Sequence, residues 1–260
     1  MPKAKKVSTN PKAEKNVFFG INKFPKDWGL ILFPISMSRI TNGQNAKNCL
    51  EYLLELNKKI LKPTVGVTFV YGDYLYFNSQ EPAAVLKNKF QELVIDHKNA
   101  VMKMLTGKHR KDFQITPAFT FATWNQLYLW TDNFKGYFDR LKKFAKTDKK
   151  LLQYLKEDAK AVDRELTEDQ ENFFLEESLI AYLSVKGKMK IYNEYVHNRE
   201  EWILWAYPGK PPKSQIYLFK KNFFNLYNSG NIYQNVAQYD LIDRKLYDVS
   251  KIDLENYSPK

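Results

Sequence analysis

A chain of 260 residues with 44% apolar and 15% aromatic side chains is long enough to bury one large core and too apolar to stay disordered. Forty-one Lys and Arg against 29 Asp and Glu leave a formal charge of +12; this fits either a general lysine bias or a polyanionic partner, nucleic acid or an anionic membrane. The single cysteine, Cys49, excludes an intrachain disulfide and fits a reducing compartment.

Residues 1–16 are lysine-rich, and no apolar run of the kind a secretory signal needs follows them. They read as a basic disordered tail before a single domain over 17–260. No stretch approaches the roughly eighteen apolar residues of a spanning helix, so a soluble, cytoplasmic protein is expected. Residues 28–36, WGLILFPIS, form an unbroken apolar run, the pattern of a parallel strand buried on both faces. After the polar MSRITNGQN, leucines at 50, 53, 54, 56 and 61 recur at roughly helical spacing and predict a helix over 45–61, closed by Pro63. A strand at 65–71, a helix from Ala83 to near Gly107 and a strand at 115–121 follow. This alternation is the rhythm of βαβ units and predicts a Rossmann-like α/β fold, a parallel sheet flanked by helices. Beyond Trp124 helices are predicted over 132–146, 148–165 and 167–186. A charged stretch at 187–201 precedes a strand at 203–208, and an amphipathic segment spans 213–229. The final thirty residues receive no assignment.

Sites in such sheets lie at the carboxyl ends of the strands, and Ser36 and Asp73 fall at or just past two of them. Neither a G-x-x-x-x-G-K-[ST] loop nor a G-x-G-x-x-G turn is present, so no glycine cradle marks a nucleotide cofactor. His97, His109, His197 and Cys49 are too few and too scattered for a metal site of standard spacing. Chemistry, if there is any, rests on hydroxyls and carboxylates.

Four segments, ILFPISMSR, GDYLYFN, FATWNQLYLW and FFLEESLIAYL with WAYPGK, together resemble the tRNA-dependent cyclodipeptide synthase family. ILFPISMSR runs from an apolar strand into a serine, where the family carries a G-x-S motif with its nucleophile. GDYLYFN resembles the family's aspartate-led segment, and FATWNQLYLW its tryptophan-containing turn into the helical half. FFLEESLIAYL, leading to WAYPGK, is similar to the family's glutamate helix and to the Tyr-Pro of one of its two subfamilies. The resemblance spans about 28–215 and rests on the ordered set rather than on any one motif. Pro34 stands in the place of the motif's glycine, Arg39 at a position that is asparagine in the larger subfamily, and Phe173 where the family has a tyrosine.

The resemblance implies a fold similar to the catalytic domain of class I tyrosyl-type tRNA synthetases. It also implies ATP-independent synthesis of a cyclic dipeptide from two aminoacyl-tRNAs, by ping-pong acyl transfer through an aminoacyl-serine. Ser36 would be the nucleophile, with Ser38 as runner-up; Glu177 would bind the α-ammonium and move its proton; Tyr207 would orient the dipeptidyl intermediate. Arg39, Asp73, Phe173 and Pro208 would line the substrate site. Residues 83–111 carry seven Lys or Arg against two acids, and Lys98, Lys103, Lys108, Arg110 and Lys111 are the expected tRNA contacts. No cofactor, metal or membrane is implied, and family members are mostly monomers. Each residue also has a plainer reading. Ser36 can be a strand-end capping serine, Glu176–Glu177 a solvated pair, Tyr207 a buried strand tyrosine, Asp73 a turn residue, and the basic helix a solvated face. The other reading of the whole chain is a tRNA- or RNA-binding protein with a synthetase-like fold and no catalysis.

Overall fold

The computed structural model of the chain describes residues 30–36, 39–59, 66–72, 84–107, 118–126, 131–185, 201–221, 223 and 233–259. Strand β1 (Leu30–Ser36) is buried on both faces as its unbroken apolar run requires; Ile31, Leu32, Phe33 and Ile35 all lie in the core. Helix α1 (Ala46–Lys59), strand β2 (Gly66–Gly72) and helix α2 (Ala84–Thr106) follow close to their predicted bounds. Strand β3 (Ala118–Thr123) starts and ends later than the predicted 115–121. Helices α3 (Phe134–Thr147), α4 (Lys149–Ala161) and α5 (Glu168–Val185) then form the helical half.

Local chemistry sets the ends of these helices. Asp148 ends α3 and caps α4, accepting the Leu151 amide at 2.9 Å, as a carboxylate does for an unsatisfied first-turn donor. Thr167 accepts the Gln170 amide at 3.3 Å ahead of α5, and the acids Glu168, Asp169 and Glu171 occupy that helix's first turn, where the positive end of the helix dipole favours them. Helix α5 is buried almost all round, with Phe174, Leu175, Leu179, Ile180, Tyr182 and Leu183 in the core, and it packs against α3, α4, α6 and β5.

Strand β4 (Glu201–Tyr207) confirms the second apolar run, while the charged stretch before Glu201 lies outside the described residues. Helix α6 (Lys213–Lys221) covers the start of the predicted 213–229 segment. The unassigned final residues build two more strands, β5 (Tyr233–Asp240) and β6 (Lys245–Asp248). The YQNVAQYD sequence of β5 lacks an apolar run, and two of its polar residues, Gln238 and Asp240, are buried with partners described below.

The six strands form one sheet in the order β3-β2-β1-β4-β5-β6. The first five are parallel, and β6 closes the edge antiparallel to β5. The fold is thus Rossmann-like and mostly parallel, with helices on both faces. Alternation along the strands divides the core in two. Ile31, Phe33, Ile35, Phe69, Tyr71, Leu204 and Ala206 pack with α1 and α2 on one face. Leu32, Val70, Ala122, Trp205 and Val236 pack with α3, α4, α5 and α6 on the other. Among the described residues no helix is long and apolar enough to cross a membrane.

Candidate active site

The strand order reverses between β1 and β4, the point at which open α/β sheets form a crevice at their carboxyl ends. Strand β1 stays paired with β2 as far as Ser36 opposite Gly72, yet with β4 only over Leu30–Leu32 opposite Ile203–Trp205. Beyond that the strands no longer pair, and their last residues, Ser36 and Tyr207, flank the opening. Both continue the parity of Leu32 and Trp205, so both fall on the face covered by α5. Two residues 171 positions apart in sequence therefore end on one side of one cleft.

Pro34 is accommodated in a central strand because its missing N–H falls on the edge that β4 leaves. The side chain of Gln44 occupies that edge. It donates from Nε2 to the Pro34 carbonyl at 2.5 Å and accepts the Ser36 amide on Oε1 at 2.9 Å. The Ser36 carbonyl accepts the amides of Arg39 and Ile40, both at 3.1 Å. The Ser36 amide is thereby committed to Gln44 and is not a donor toward a reacting oxygen.

Glu177 sits on α5, half-buried, beside the fully buried Glu176. Burial is the main cause that pushes its carboxyl up to about 7; Arg164 pulls against that rise, Glu176 adds to it, and Arg39 lowers it further. Tyr207 feels the same groups. Its phenol is pushed up to about 12 by burial and then by Glu177, against Arg39 and Arg164. A carboxyl poised near neutrality, a phenol that stays protonated and two guanidiniums therefore share one electrostatic neighbourhood. Arg39 also stands 5.5 Å over the Tyr207 ring, and Arg164 5.9 Å over that of Phe173. Phe173, one turn before Glu177, is half-buried against the helical core and meets Phe174 edge-on at 5.4 Å.

The loop after Tyr207 is held on all sides. The Tyr207 carbonyl accepts the Leu241 amide at 3.1 Å, and the Pro208 carbonyl accepts Nη1 of Arg39 at 2.9 Å. The Gly209 amide donates to Oδ1 of Asp240 at 2.9 Å, and its carbonyl accepts Nε2 of Gln238 at 2.7 Å. Gly209 has φ +112, a conformation that favours glycine. Gln238 and Asp240, which make β5 look unlike a strand in sequence, are the groups that fix this loop.

Of the predicted site residues, the structure brings Ser36, Arg39, Glu177, Tyr207 and Pro208 to the β1–β4 crevice, while Phe173 packs against the helical core one turn before Glu177. Asp73 and Ser38 lie outside the described residues, as do Lys108, Arg110 and Lys111. Lys98 and Lys103 are exposed on α2, with Nζ of Lys98 5.1 Å over the Phe121 ring. The exposed acids Glu92 and Asp96 share that helix. Helices α3 and α4 carry nine Lys or Arg against three Asp or Glu, a denser basic surface that the sequence reading passes over. It also misses Gln44, Arg164, Gln238 and Asp240. Only the turn position of Arg164, ahead of the glutamate helix, offers a sequence signal for any of them.

No protein-family profile matches the sequence, and no curated protein matches it. Solved structures do. The structural likeness is to cyclodipeptide synthases. One is AlbC, a cyclodipeptide synthase from Streptomyces noursei, 12% identical, with a TM-score of 0.40 over 72% of this chain and 86% of that one. A CDPS from Fluoribacter dumoffii is 14% identical, with a TM-score of 0.48 over 84% of this chain and 91% of that one. A CDPS from Staphylococcus haemolyticus is 13% identical, with a TM-score of 0.45 over 88% and 94%. These likenesses are loose in both identity and superposition.

Proposed function

We propose that the chain is a tRNA-dependent cyclodipeptide synthase of the Tyr-Pro subfamily, acting as a cytoplasmic monomer without a nucleotide cofactor. The carrying observation is the crevice itself: Ser36 and Tyr207 end β1 and β4 on the α5 face, where the Glu177 carboxyl titrates near 7. The ordered resemblance of the four sequence segments supplies the substrate class.

An aminoacyl-tRNA is an activated ester, so amide formation from it runs downhill and needs no ATP. In the first half-reaction Oγ of Ser36 attacks the ester carbonyl of one aminoacyl-tRNA. The ribose oxygen leaves with the serine proton, and an aminoacyl-serine ester remains. The α-ammonium of that ester faces Glu177, which holds it as a carboxylate and takes its proton when the amine attacks the second aminoacyl-tRNA. The second tRNA leaves with a proton, and Ser36 now carries a dipeptide. Its free amine attacks the seryl ester, closing the six-membered ring and returning the proton to Oγ. Tyr207, protonated throughout, donates its hydroxyl to orient the dipeptidyl group for this closure. Arg39 holds the Pro208 carbonyl, so the Tyr207 loop and the segment after Ser36 stay in register across the crevice. Exposed lysines, Lys98 and Lys103 among them, supply phosphate contacts that position the RNA without reading sequence.

The test is expression in a bacterium with mass spectrometry of the medium. New diketopiperazine masses that vanish in Ser36→Ala, with the melting temperature retained, support the synthase. An identical medium with and without the wild-type protein defeats it and leaves an RNA-binding protein without catalysis.

A further inference from the structure

We infer that Gln44 is the positioning residue for Ser36, and that His97 and Tyr71, one layer further in, hold Gln44 in place; this rests on the reading of Ser36 as the acylated residue. The starting point is an unusual commitment of polar groups. Gln44 is 0% exposed, and a buried side-chain amide costs stability unless its groups are bonded. It spends them on β1 alone, at Pro34 and Ser36. Because Pro34 has no N–H, this edge of β1 presents one carbonyl and one amide after the point where β4 departs, and the carboxamide offers one donor and one acceptor to match. Gln44 thus stands in for the missing strand at the residue that carries the hydroxyl.

Its own backbone is held in turn. The Gln44 amide donates to the Arg39 carbonyl at 3.0 Å, closing the turn that contains Arg39. The Gln44 carbonyl lies 3.0 Å from Nε2 of His97. A carbonyl only accepts, so Nε2 carries the proton; Nδ1 is then the acceptor for the Tyr71 hydroxyl at 2.9 Å. One tautomer satisfies both bonds. Cys49 adds a weaker thiol contact to the same carbonyl at 3.5 Å. The line Tyr71–His97–Gln44–Ser36 is buried throughout up to the serine and ties β2 and α2 to the end of β1. Neither His97 nor Gln44 reaches the crevice chemistry; they act through the Ser36 backbone.

Acyl transfer to a serine depends on a near-attack geometry, and a displacement of about 1 Å costs on the order of a hundredfold in rate. The readout is single-turnover formation of aminoacyl-enzyme from bacterial tRNA charged with radiolabelled amino acids, with intact mass to locate the adduct. Gln44→Met keeps length and removes both bonds; it is expected to slow adduct formation by about 10- to 100-fold. Filter-binding affinity for the same RNA stays within about twofold, since no RNA contact changes. His97→Leu is expected to slow it by a smaller factor, and His97→Gln, which keeps a donor in the place of Nε2, to recover most of that loss. Hydrogen exchange of the peptide containing Ser36 rises in Gln44→Met, a local opening that remains readable if the melting temperature falls. An adduct that forms at the wild-type rate in Gln44→Met overturns the inference, as does a His97→Gln protein no better than His97→Leu. Wild-type protein that forms no adduct overturns instead the reading on which it rests, and this inference with it.

Discussion

Replacing Glu177 by glutamine removes a charge that the fold resists, and the two consequences have opposite signs. The carboxyl is raised from 4.5 to about 7, which corresponds to roughly 3 kcal/mol at about 1.4 kcal/mol per pH unit, less what solvent returns at a half-buried site. Between those values the folded protein keeps a proton that the unfolded chain has lost. The stability this group contributes is therefore complete below its unfolded value and is lost as pH rises through about 7. At pH 8 Glu177→Gln is expected to be more stable than wild type by about 1–3 kcal/mol, a rise of several degrees in melting temperature. Activity moves the other way, because only the carboxylate receives an ammonium. A group titrating at about 7 is roughly one-tenth ionised at pH 6 and nine-tenths at pH 8, so kcat/KM should rise about tenfold across that interval. An ordinary glutamate gives a flat profile there. The substrate's own amine also titrates near neutrality, and Arg164→Gln separates the two: it removes a cation that lowers the carboxyl and moves the midpoint upward, while the substrate's amine stays put. The assay is the initial rate of diketopiperazine formation at several pH values, corrected for spontaneous ester hydrolysis, beside thermal melts of each variant. A flat wild-type profile, an unmoved midpoint in Arg164→Gln, or a Glu177→Gln protein that melts lower at pH 8 refutes the reasoning.

Tyr207→Phe deletes one hydroxyl from the crevice and should lower kcat by about 10- to 100-fold with little change in KM, read from steady-state kinetics. With that phenol held at about 12, the wild-type pH profile shows no Tyr207 inflection between pH 8 and 10. Asp240→Ala strips the acceptor from the Gly209 and Ile242 amides, at 2.9 and 2.8 Å, and should cost about 1–3 kcal/mol in urea unfolding. Gly209→Ala forces a side chain into φ +112 and should cost a similar amount, about 1–3 kcal/mol, with nothing to clash against. The double variant Lys98→Glu, Lys103→Glu should weaken RNA binding and flatten the dependence of log affinity on log salt by about two. The same measurement on Lys143→Glu, Lys146→Glu, on α3, shows whether the denser basic surface also meets the RNA.

Residues 30–36 are legible as a buried strand because nothing polar interrupts them before Ser36: a run of that length and composition has no stable place except between two helical layers. The same holds for WILWAY. Helices came through because their apolar positions recur on one face, and α5 because it is apolar nearly all round except for its acids. The last two strands did not come through. β5 carries Gln238 and Asp240, whose burial is tolerable because Gly209 bonds both and the Ile242 amide bonds Asp240 as well.

Within the site, local pattern sets the kinds of group available: a serine ending one apolar strand, a tyrosine ending another, and a glutamate set in an apolar helix. It also sets the α/β rhythm that sends strand ends to a common edge. Tertiary structure alone decided which ends meet. The strand order places β1 beside β4, and the parity of Leu32 and Trp205 turns Ser36 and Tyr207 to the α5 face. Glu177 reaches about 7 because burial and the neighbouring Glu176 raise its carboxyl further than Arg164 and Arg39 pull it down. The grip of Gln44 on Ser36 was equally invisible, since a glutamine in a polar segment reads as solvent-facing until the departure of β4 leaves it an edge to complete. Pairing, burial and charge at a distance depend on packing between segments far apart in sequence, and no local pattern encodes them.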